Sequence, residues 1–381
     1  MKKIKVLQMI DRPSLGGGQT ALLLLAENLD RGLFDVAVAS AAGGPLVDRA
    51  EERGLWHLGV PLEKKIALRS VGKIAAILEE NNVDIVHTHG GYAGLYGRWA
   101  ARRCRTPVIV HTLHGIHYLR YRNPAVRQLF MNLERRCSRF TDRLILVSHA
   151  DLGRAIKHRL APQDRMVVIL NGIALPESLS AESREIKRRE LNLEPGRPVV
   201  GTVARLHRQK GILYLLHAAP MIMERFPEAR IVVVGDGPLG RRLRRRARAL
   251  GLGDRVLFLG ARTDAREVMA LFDIFVLPSL WEGLPLVLVE AAALGKPIVS
   301  TAVDGANEVI DDGKTGVLVP PRAPHAIAEA VIALLADRTK ASRLAERAKA
   351  VIPARFPLQR MIEQTQTLYL KLYAQKTQQL G

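Results

Sequence analysis

Residues 274–295 read IFVLPSLWEGLPLVLVEAAALG, an apolar strand, a short turn and an apolar helix in immediate succession. Strand and helix patterns that alternate in this way are typical of parallel βαβ units. Pro285 suits the first turn of the helix, which leaves the backbone amides after Gly283 free to face an anion. Glu282 precedes the helix and Glu290 lies inside it, so two carboxylates can accept hydrogen bonds from an extended sugar ligand. In isolation, a surface glutamate and an ordinary helical glutamate are the simpler interpretation.

The same alternation extends over the whole chain. In the first half, apolar runs predict strands at Lys5–Ile10, Val36–Ala39, Ile85–Thr88, Val108–Thr112, Arg143–Val147 and Val167–Leu170. In the second half, they predict strands at Val199–Val203, Arg230–Val234, Val256–Leu259, Ile274–Leu277, Pro297–Thr301 and Val317–Val319. Because 381 residues are too many for one core, we expect two doubly wound α/β domains of Rossmann type.

The boundary between these domains is predicted at Asn171-Gly172-Ile173. A polar segment from Pro176 to Arg189 follows and leads into a helix, which suggests a hinge. We therefore predict domains at residues 1–172 and 173–356. The tail has apolar residues at helical spacing, which predicts a last helix at about residues 357–376 that packs back on the first domain.

Charge and cysteine content limit the class of protein. The chain has 57 Lys and Arg against 37 Asp and Glu, a net charge of +20, which indicates an anionic partner such as nucleic acid, a lipid surface or a phosphorylated substrate. Residues 98–165 alone hold fifteen cations and four acids. No helix-turn-helix or RNA-binding signature supports nucleic acid. The two cysteines form neither a disulfide framework nor a zinc pattern, and no apolar run approaches the roughly 20 residues that span a bilayer. We expect a cytoplasmic protein whose membrane contact, if any, is peripheral.

A second pattern places two cations directly after a predicted strand. Residues 201–211 read GTVARLHRQKG, with Arg205 and Lys210 between that strand and the next helix. Ligands of α/β sheets bind at this end of the strands, and two cations there can neutralise a departing diphosphate without a metal ion. The alternative is a solvated loop in a basic protein.

Two glycine-rich loops also follow strands. Residues 235–240 read GDGPLG and satisfy the GxGxxG pattern, but Pro238 is unusual in a dinucleotide turn and the next strand does not close on an acid, so a nicotinamide cofactor is not indicated. Gly16, Gly17 and Gly18 follow the first strand and let backbone amides approach a phosphate or an acceptor. A tight or flexible turn explains any one of these glycines as well.

In their order along the chain, these motifs resemble the retaining glycosyltransferases of family 4, whose E-x7-E segment matches Glu282 and Glu290. The resemblance covers nearly the whole chain. It implies the GT-B fold, in which two Rossmann-like domains face each other across a cleft. It also implies a nucleotide-sugar substrate, no cofactor and no metal ion, and transfer with retention by front-face displacement.

The resemblance implies roles for individual residues. Glu282 contacts the transferred sugar, Glu290 binds the ribose hydroxyls, and Arg205 and Lys210 hold the diphosphate. His114, just beyond a strand of the first domain, is the histidine that reaches the donor sugar. The catalytic set is therefore His114, Glu282, Arg205 and Lys210. The remaining donor-binding positions are Gly235, Gly237, Arg262 near the base, Gly283, Leu284, Pro285, Leu286 and Val287.

The chain departs from the family at one loop and adds histidines of no matched role. Many relatives follow their glycine pair with Glu-Arg, whereas Gly18 is followed here by Gln19-Thr20, so the acceptor contact of that glutamate is not carried over. His87, His89 and His111 lie at strand ends, and their spacing indicates a metal only weakly. We assign no metal.

The expected reaction is hexosyl or N-acetylhexosaminyl transfer from a sugar nucleotide, UDP being the commoner choice. The basic first half favours a lipid-linked or phosphorylated glycan acceptor in surface polysaccharide or lipopolysaccharide synthesis. A synthase with a soluble sugar or sugar-phosphate acceptor is the alternative, and a nucleic-acid-binding protein is a distant one. A basic amphipathic segment from Val126 to Arg139 either lies on an anionic membrane or packs into its own domain.

Overall fold

The computed structural model describes residues 2–14, 16–62, 68–175 and 179–378. The chain divides into two compact units, one formed by Met1–Gly172 with Leu358–Gly381 and the other by Ile173–Pro357. Residues 176–178 of the predicted hinge lie outside the described ranges.

The first unit contains a parallel sheet whose order is β3-β2-β1-β4-β5-β6-β7. Six of these strands overlap the predicted ones, whereas β3 was not predicted. The strands are β1 (Ile4–Ile10), β2 (Phe34–Ser40), β3 (Trp56–Gly59), β4 (Ile85–His89), β5 (Val108–Leu113), β6 (Arg143–Leu146) and β7 (Met166–Val168). The helices that alternate with them are α1 (Gly17–Asn28), α2 (Pro45–Glu52), α3 (Leu68–Glu80), α4 (Gly91–Arg103), α5 (Pro124–Ser138) and α6 (His149–Lys157).

The second unit contains a parallel sheet of order β10-β9-β8-β11-β12-β13. Its strands are β8 (Val199–Val203), β9 (Arg230–Val234), β10 (Val256–Gly260), β11 (Ile274–Leu277), β12 (Ile298–Thr301) and β13 (Val317–Val319). Its helices are α7 (Ala181–Glu190), α8 (Ile212–Arg225), α9 (Gly240–Ala249), α10 (Ala265–Ala270), α11 (Leu286–Ala293), α12 (Ala306–Val309), α13 (Pro324–Ala336) and α14 (Arg338–Arg355). Both sheets are doubly wound, as predicted.

Two local predictions need correction. The polar segment predicted to lead into a helix is itself helical, because α7 occupies most of it and is capped by the Ser180 side chain. Pro285 lies just before α11 instead of in its first turn. Its ψ of 90° is extended, so the helix begins at Leu286, and the Pro285 carbonyl accepts a bond from the Leu288 amide at 2.9 Å.

The last helix, α15 (Leu358–Gln378), belongs to the first unit. Its buried face includes Met361, Tyr369 and Leu372, which pack in one apolar cluster with Ile85 and Val108 of the sheet. Of the predicted stripe, Ile362 is also buried, and Leu368 is half-buried. The last helix of the chain therefore completes the core of the first unit, which begins at the start of the chain.

The amphipathic segment forms α5, whose two halves differ. Towards its end, Met131 and Cys137 are buried, and the Glu134 carboxylate pairs with the Arg98 guanidinium at 2.7 and 3.0 Å. Near its start, Val126 and Leu129 are exposed. Within the described ranges, no helix is both long enough and apolar enough to cross a membrane.

Each sheet reverses its strand order once, between β1 and β4 in the first unit and between β8 and β11 in the second. Ligands of open α/β sheets bind beyond the carboxyl ends of the strands at such a reversal point. The loops after β8 and β11 hold Lys210 and Glu282 respectively. The loops after β1 and β4 hold the first glycine-rich turn and the residues that follow His89.

Candidate active site

An ion pair lies at the reversal point of the second sheet. Lys210, at the end of a 3-10 turn after β8, places its Nζ 2.6 Å from Oε1 of Glu282 in the loop after β11. The Ser279 hydroxyl donates to the same oxygen at 2.5 Å. Glu282 is only 5% exposed, so its carboxylate depends on these partners, and on a longer contact of 3.5 Å from Gln209 Nε2 to its Oε2, to compensate for its lost hydration. Two predicted catalytic residues are thereby in direct contact.

The loops that carry this pair are tied to each other. The Gln209 carbonyl accepts a bond from the Leu280 amide at 2.7 Å, and the Gln209 side chain donates to the Trp281 carbonyl at 3.0 Å. The Glu282 amide donates to the Asp304 carboxylate at 3.2 Å. Sequence reasoning named none of these supporting residues. Ser279 and Gln209 could have been found, since each lies within a motif already quoted.

Glu290 is also paired. The Arg266 guanidinium contacts its Oε1 through Nε at 3.0 Å and through Nη2 at 2.7 Å. Arg266 lies in the first turn of α10, beyond the carboxyl end of β10, and its side chain is 39% exposed. Arg266 is not among the residues predicted from the sequence, although its position after a strand was a usable signal. The two glutamates of the motif thus each have a basic partner from a neighbouring βα connection.

Arg262 belongs to a separate ionic network. Its guanidinium binds Asp264 through two bonds of 2.7 Å and Glu190 at 2.6 Å, and Lys187 binds the same aspartate at 2.7 Å. The hydrogen bond from Arg262 holds the pKa of Asp264 well below its usual value, with Lys187 adding to the effect. The network ties α7 to the loop before α10.

The second glycine loop packs against the loop that carries Arg205. A Cβ on Gly235 would lie 2.1 Å from the Ala204 carbonyl oxygen, and one on Gly237 would lie 2.6 Å from that of Leu206. Both glycines also have positive φ angles of 126° and 157°, which side chains disfavour. These glycines are therefore required by backbone packing alone, and they bring their loop beside the exposed Arg205.

The turn before α11 is packed closely as well. A Cβ on Gly305 would lie 1.6 Å from the Gly283 carbonyl oxygen, so only glycine fits beside this turn. Leu284 and Leu286 are buried and Val287 is half-buried. The amides of Leu286 and Val287, the first two residues of α11, have no carbonyl partner inside their own helix, which is the feature that the sequence predicts for binding an anion.

In the first unit, His114 follows β5 and is half-buried. Its Nε2 lies 2.9 Å from Nδ1 of His89, and the two rings stack at 5.2 Å. Burial, with a smaller effect of the His117 charge, lowers the pKa of His114 to about 4. A Cβ on Gly18 would lie 3.2 Å from the His114 ring, so the predicted glycine loop and histidine are neighbours. Gly16 precedes α1, and Gly17 is its first residue.

The two other strand-end histidines of the sequence analysis, His87 and His111, also bond to neighbouring protein groups. His87 contacts Tyr369 and Thr112, and His111 contacts Thr88. In the part of the chain that the structure describes, no three His, Cys, Asp or Glu side chains are grouped so that they could hold a metal ion.

Comparison with known proteins identifies both units. The family model described as glycosyl transferases group 1 matches residues 183–351, and that of the glycosyl transferase 4-like domain matches residues 16–172. The chain is 29% identical to the Escherichia coli UDP-Gal:alpha-D-GlcNAc-diphosphoundecaprenol alpha-1,3-galactosyltransferase, over 98% of each chain. It is 30% identical to alpha-D-kanosaminyltransferase of Streptomyces kanamyceticus, over 75% of this chain and 77% of that protein.

A solved structure shows the same architecture. Anabaena HepE in complex with UDP-glucose superimposes with a TM-score of 0.86 at 25% identity, covering 96% of this chain and 99% of that one. The predicted GT-B fold is therefore confirmed. With both units matched in the expected order, the chain belongs to the glycosyl transferases group 1 and is a glycosyltransferase.

Proposed function

We propose that the protein transfers a hexosyl or N-acetylhexosaminyl group from a UDP-sugar, bound by the second unit, to a glycan acceptor. The observation that carries this proposal is the Lys210–Glu282 pair at the reversal point of the second sheet. It sets a cation suited to a diphosphate against a carboxylate suited to sugar hydroxyls. The HepE complex with UDP-glucose supports the choice of UDP.

The proposed reaction retains the anomeric configuration and needs no metal ion. The bond from the anomeric carbon to the diphosphate oxygen breaks, and the acceptor hydroxyl bonds to that carbon on the same face. Its proton passes to the departing phosphate. Lys210, Arg205 and the start of α11 offset the growing negative charge, and Glu282 orients the sugar. The resemblance to family 4 supports retention and supports His114 as a further contact to the sugar.

The donor half of the proposal is tested by calorimetric titration with UDP, GDP and ADP. We expect UDP alone to bind tightly, and Lys210→Met and Glu290→Gln to weaken binding by about tenfold or more, the loss typical of one charge-assisted contact. Lys314→Met and Glu329→Gln change exposed residues of the same unit and are the matched controls. Equal binding by all four variants would contradict the assignment.

For the acceptor, we propose a lipid-linked glycan, as in the name of the E. coli relative. The test is an activity assay in which the protein receives UDP-galactose or UDP-glucose as donor. The acceptor is either α-D-GlcNAc-diphosphoundecaprenol or a soluble sugar phosphate. Product formed only with soluble acceptors would favour the synthase alternative, which relatives such as the D-inositol 3-phosphate glycosyltransferases make reasonable. The anomeric coupling constant of the product tests retention, and activity in excess EDTA tests independence from metal ions.

We further propose a place on the cytoplasmic membrane face, within surface polysaccharide or lipopolysaccharide synthesis. The exposed Val126 and Leu129 at the start of α5 lie beside Arg127, a combination that suits an anionic lipid surface. Flotation with anionic and neutral vesicles tests it. Binding to anionic vesicles that is lost in Val126→Ser/Leu129→Ser supports the proposal, whereas absence of binding to both vesicle types overturns it.

A further inference from the structure

A buried chain of hydrogen bonds connects α15 to His114. We call it the histidine network, and it consists of His114, His89, Gln8, Tyr369, His87 and Thr112. His89 Nδ1 lies 2.9 Å from His114 Nε2, and His89 Nε2 lies 2.8 Å from Gln8 Oε1. Gln8 Nε2 lies 2.8 Å from the Tyr369 hydroxyl. All of these side chains come from within the first unit.

The network continues from Tyr369 to a second strand end. The Tyr369 hydroxyl lies 2.5 Å from His87 Nδ1, and His87 Nε2 lies 2.7 Å from Thr112 Oγ1. The Tyr369 ring packs edge-on against the His87 ring at 5.7 Å. Tyr369 thus joins β1 and β4 from outside the sheet, although it lies 361 positions from Gln8 in sequence.

With the Gln8 amide in the orientation that the structure gives it, the atoms in contact determine where each proton lies. Gln8 Oε1 can only accept, so His89 Nε2 donates to it. A neutral His89 then has a bare Nδ1, to which His114 Nε2 must donate. On the other side, Gln8 Nε2 donates to the Tyr369 oxygen, so the Tyr369 proton goes to His87 Nδ1. His87 Nε2 donates to Thr112. Every bond has one donor and one acceptor.

The imidazoles of the network must be neutral for this proton arrangement, and their surroundings make them so. Burial lowers the pKa of His87 and of His89 well below the ordinary value, and neighbouring histidines add to the effect. With one proton on each ring, the network leaves His114 Nδ1 as an acceptor. That atom is buried and has no hydrogen-bond partner among the described residues. An unpaired buried acceptor of this kind is costly unless a ligand group completes it.

The hydroxyl of Tyr369 connects the two halves of the network. If it were removed, Gln8 Nε2 would lose its acceptor and His87 Nδ1 its donor. The Gln8 amide could then rotate, which would present an N–H to His89 Nε2 and reverse each later bond. In that reversed state His114 Nδ1 would carry the proton and could no longer accept.

We propose that Tyr369 is a positioning residue, which through Gln8 and His89 keeps His114 in the tautomer whose Nδ1 accepts a hydrogen bond. The last helix of the chain thereby sets the chemical state of a residue that follows β5. The effect of Tyr369 on the His114 tautomer depends only on residues of the first unit. The consequence for turnover rests on the proposed function, in which His114 contacts the sugar.

The test uses Tyr369→Phe in the full chain, with Tyr373→Phe as the matched control. Tyr373 is on the same helix, one turn later, and its hydroxyl approaches Asp84 instead of the network. Long-range proton–nitrogen spectra of the protein with labelled histidine report the tautomer of each ring. We expect His114 and His89 to be protonated at Nε2 in the parent and in Tyr373→Phe, and to show mixed tautomers in Tyr369→Phe.

Turnover is measured on the same samples. We expect Tyr369→Phe to lower kcat by about tenfold with little change in the KM of the donor, because misorientation of a contact affects the reacting state more than binding. Gln8→Leu, which interrupts the network between Tyr369 and His89, should change the His114 tautomer in the same way.

The outcomes separate the two proposals. An unchanged His114 tautomer in Tyr369→Phe overturns the positioning role. A changed tautomer with unchanged kcat overturns its catalytic consequence. Absence of sugar transfer by the parent, with the tautomer change still present, counts against the proposed function and upholds the inference about Tyr369.

Discussion

At the scale of single residues, Lys210 and Glu282 are each other's principal counter-charge. Both lie mostly out of solvent, with side chains 19% and 5% exposed. An ion pair in such surroundings contributes little net stability, because desolvation offsets attraction, but removal of one partner leaves the other uncompensated. The pair is therefore better suited to fix the positions of the Lys210 ammonium and the Glu282 carboxylate than to stabilise the fold.

This view makes a prediction about the pair. Glu282→Gln and Lys210→Met should each lower the free energy of unfolding of the second unit by about 1–3 kcal/mol. The loss of unfolding free energy in the double variant should be smaller than the sum of the two single losses, by a coupling energy of about 1–2 kcal/mol. Trp281 fluorescence during urea unfolding, in a Trp56→Phe/Trp99→Phe background, reports on this unit alone, since the chain has three tryptophans. Additive costs would show that the contact carries no interaction energy.

His114 leads to a prediction about acid. Its folded pKa of about 4 lies below the ordinary 6.5. As the pH falls, His114 therefore takes up a proton in the unfolded chain at a higher pH than in the folded one. Stability is then full above pH 6.5 and falls as the pH drops towards 4, by at most about 3 kcal/mol for this residue. His114→Gln should therefore recover stability relative to the parent over that interval.

The measurement is urea unfolding between pH 7 and pH 4 in a Trp281→Phe background, in which Trp56 and Trp99 report on the first unit. Asp151→Asn should be made beside it. Burial raises the pKa of Asp151 to about 6, so this carboxyl gives a dependence of opposite sign below that pH. A gap between parent and His114→Gln that stays constant from pH 7 to pH 4 would contradict the prediction.

At the scale of elements, the sequence was informative where strands are buried on both faces. Strand β11 and, after Arg230, strand β9 are continuous apolar runs, and the predicted and observed ends of both strands coincide. The missed strand β3 is a short edge strand of mixed composition, with Trp56 66% exposed. It has neither the length nor the periodicity that predicts a strand, and it pairs in parallel with β2 at the edge of the sheet.

The site was less predictable than the sheets, for a physical reason. The motif pattern indicated Glu282 and Glu290, but it could not name their partners, because Lys210 and Arg266 reach them from other βα connections. Pairing between distant side chains depends on strand order, which local patterns do not encode. For the same reason, Arg262 could be predicted beside the donor without any sign that Asp264 and Glu190 bind it.

The network around Asp264 makes a prediction at the scale of elements, because it joins α7 to the loop before α10. Asp264→Asn should lower the free energy of unfolding of the second unit by about 1–2 kcal/mol at neutral pH, the side chain being partly exposed. Since the folded pKa of Asp264 is depressed, this contribution is present above the ordinary carboxyl pKa and declines as the pH falls below about 4.

The check is the difference between the unfolding free energies of Asp264→Asn and the parent from pH 7 to pH 3, with the Trp281 reporter. Asp254→Asn, an exposed aspartate of the same unit, is the control and should show no comparable difference. A difference for Asp264→Asn that grows on acidification would have the wrong sign for a depressed pKa.

At the scale of the whole molecule, the two units differ in how many stretches of the chain form them. The core of the second unit is built from one continuous stretch, Ile173–Pro357, and its main apolar cluster extends from Val200 to Leu344. The first unit needs both ends of the chain, because Met361, Tyr369 and Leu372 complete one of its clusters. Burial of three such side chains is worth about 5 kcal/mol, which is a large part of the stability of an ordinary domain.

This asymmetry predicts that residues 173–357 fold when expressed alone, whereas residues 1–172 alone do not. Because Lys210, Glu282, Arg266 and Glu290 all lie in the continuous unit, the isolated fragment should also bind UDP, with a Kd within about tenfold of the full chain. Circular dichroism melting tests folding, and calorimetric titration tests binding, with Glu290→Gln in the fragment as the control that should weaken it. A folded fragment without affinity for UDP would mean that the donor site requires residues of the first unit. Cooperative melting by residues 1–172 would mean that α15 is dispensable, although it contributes Tyr369 to the histidine network.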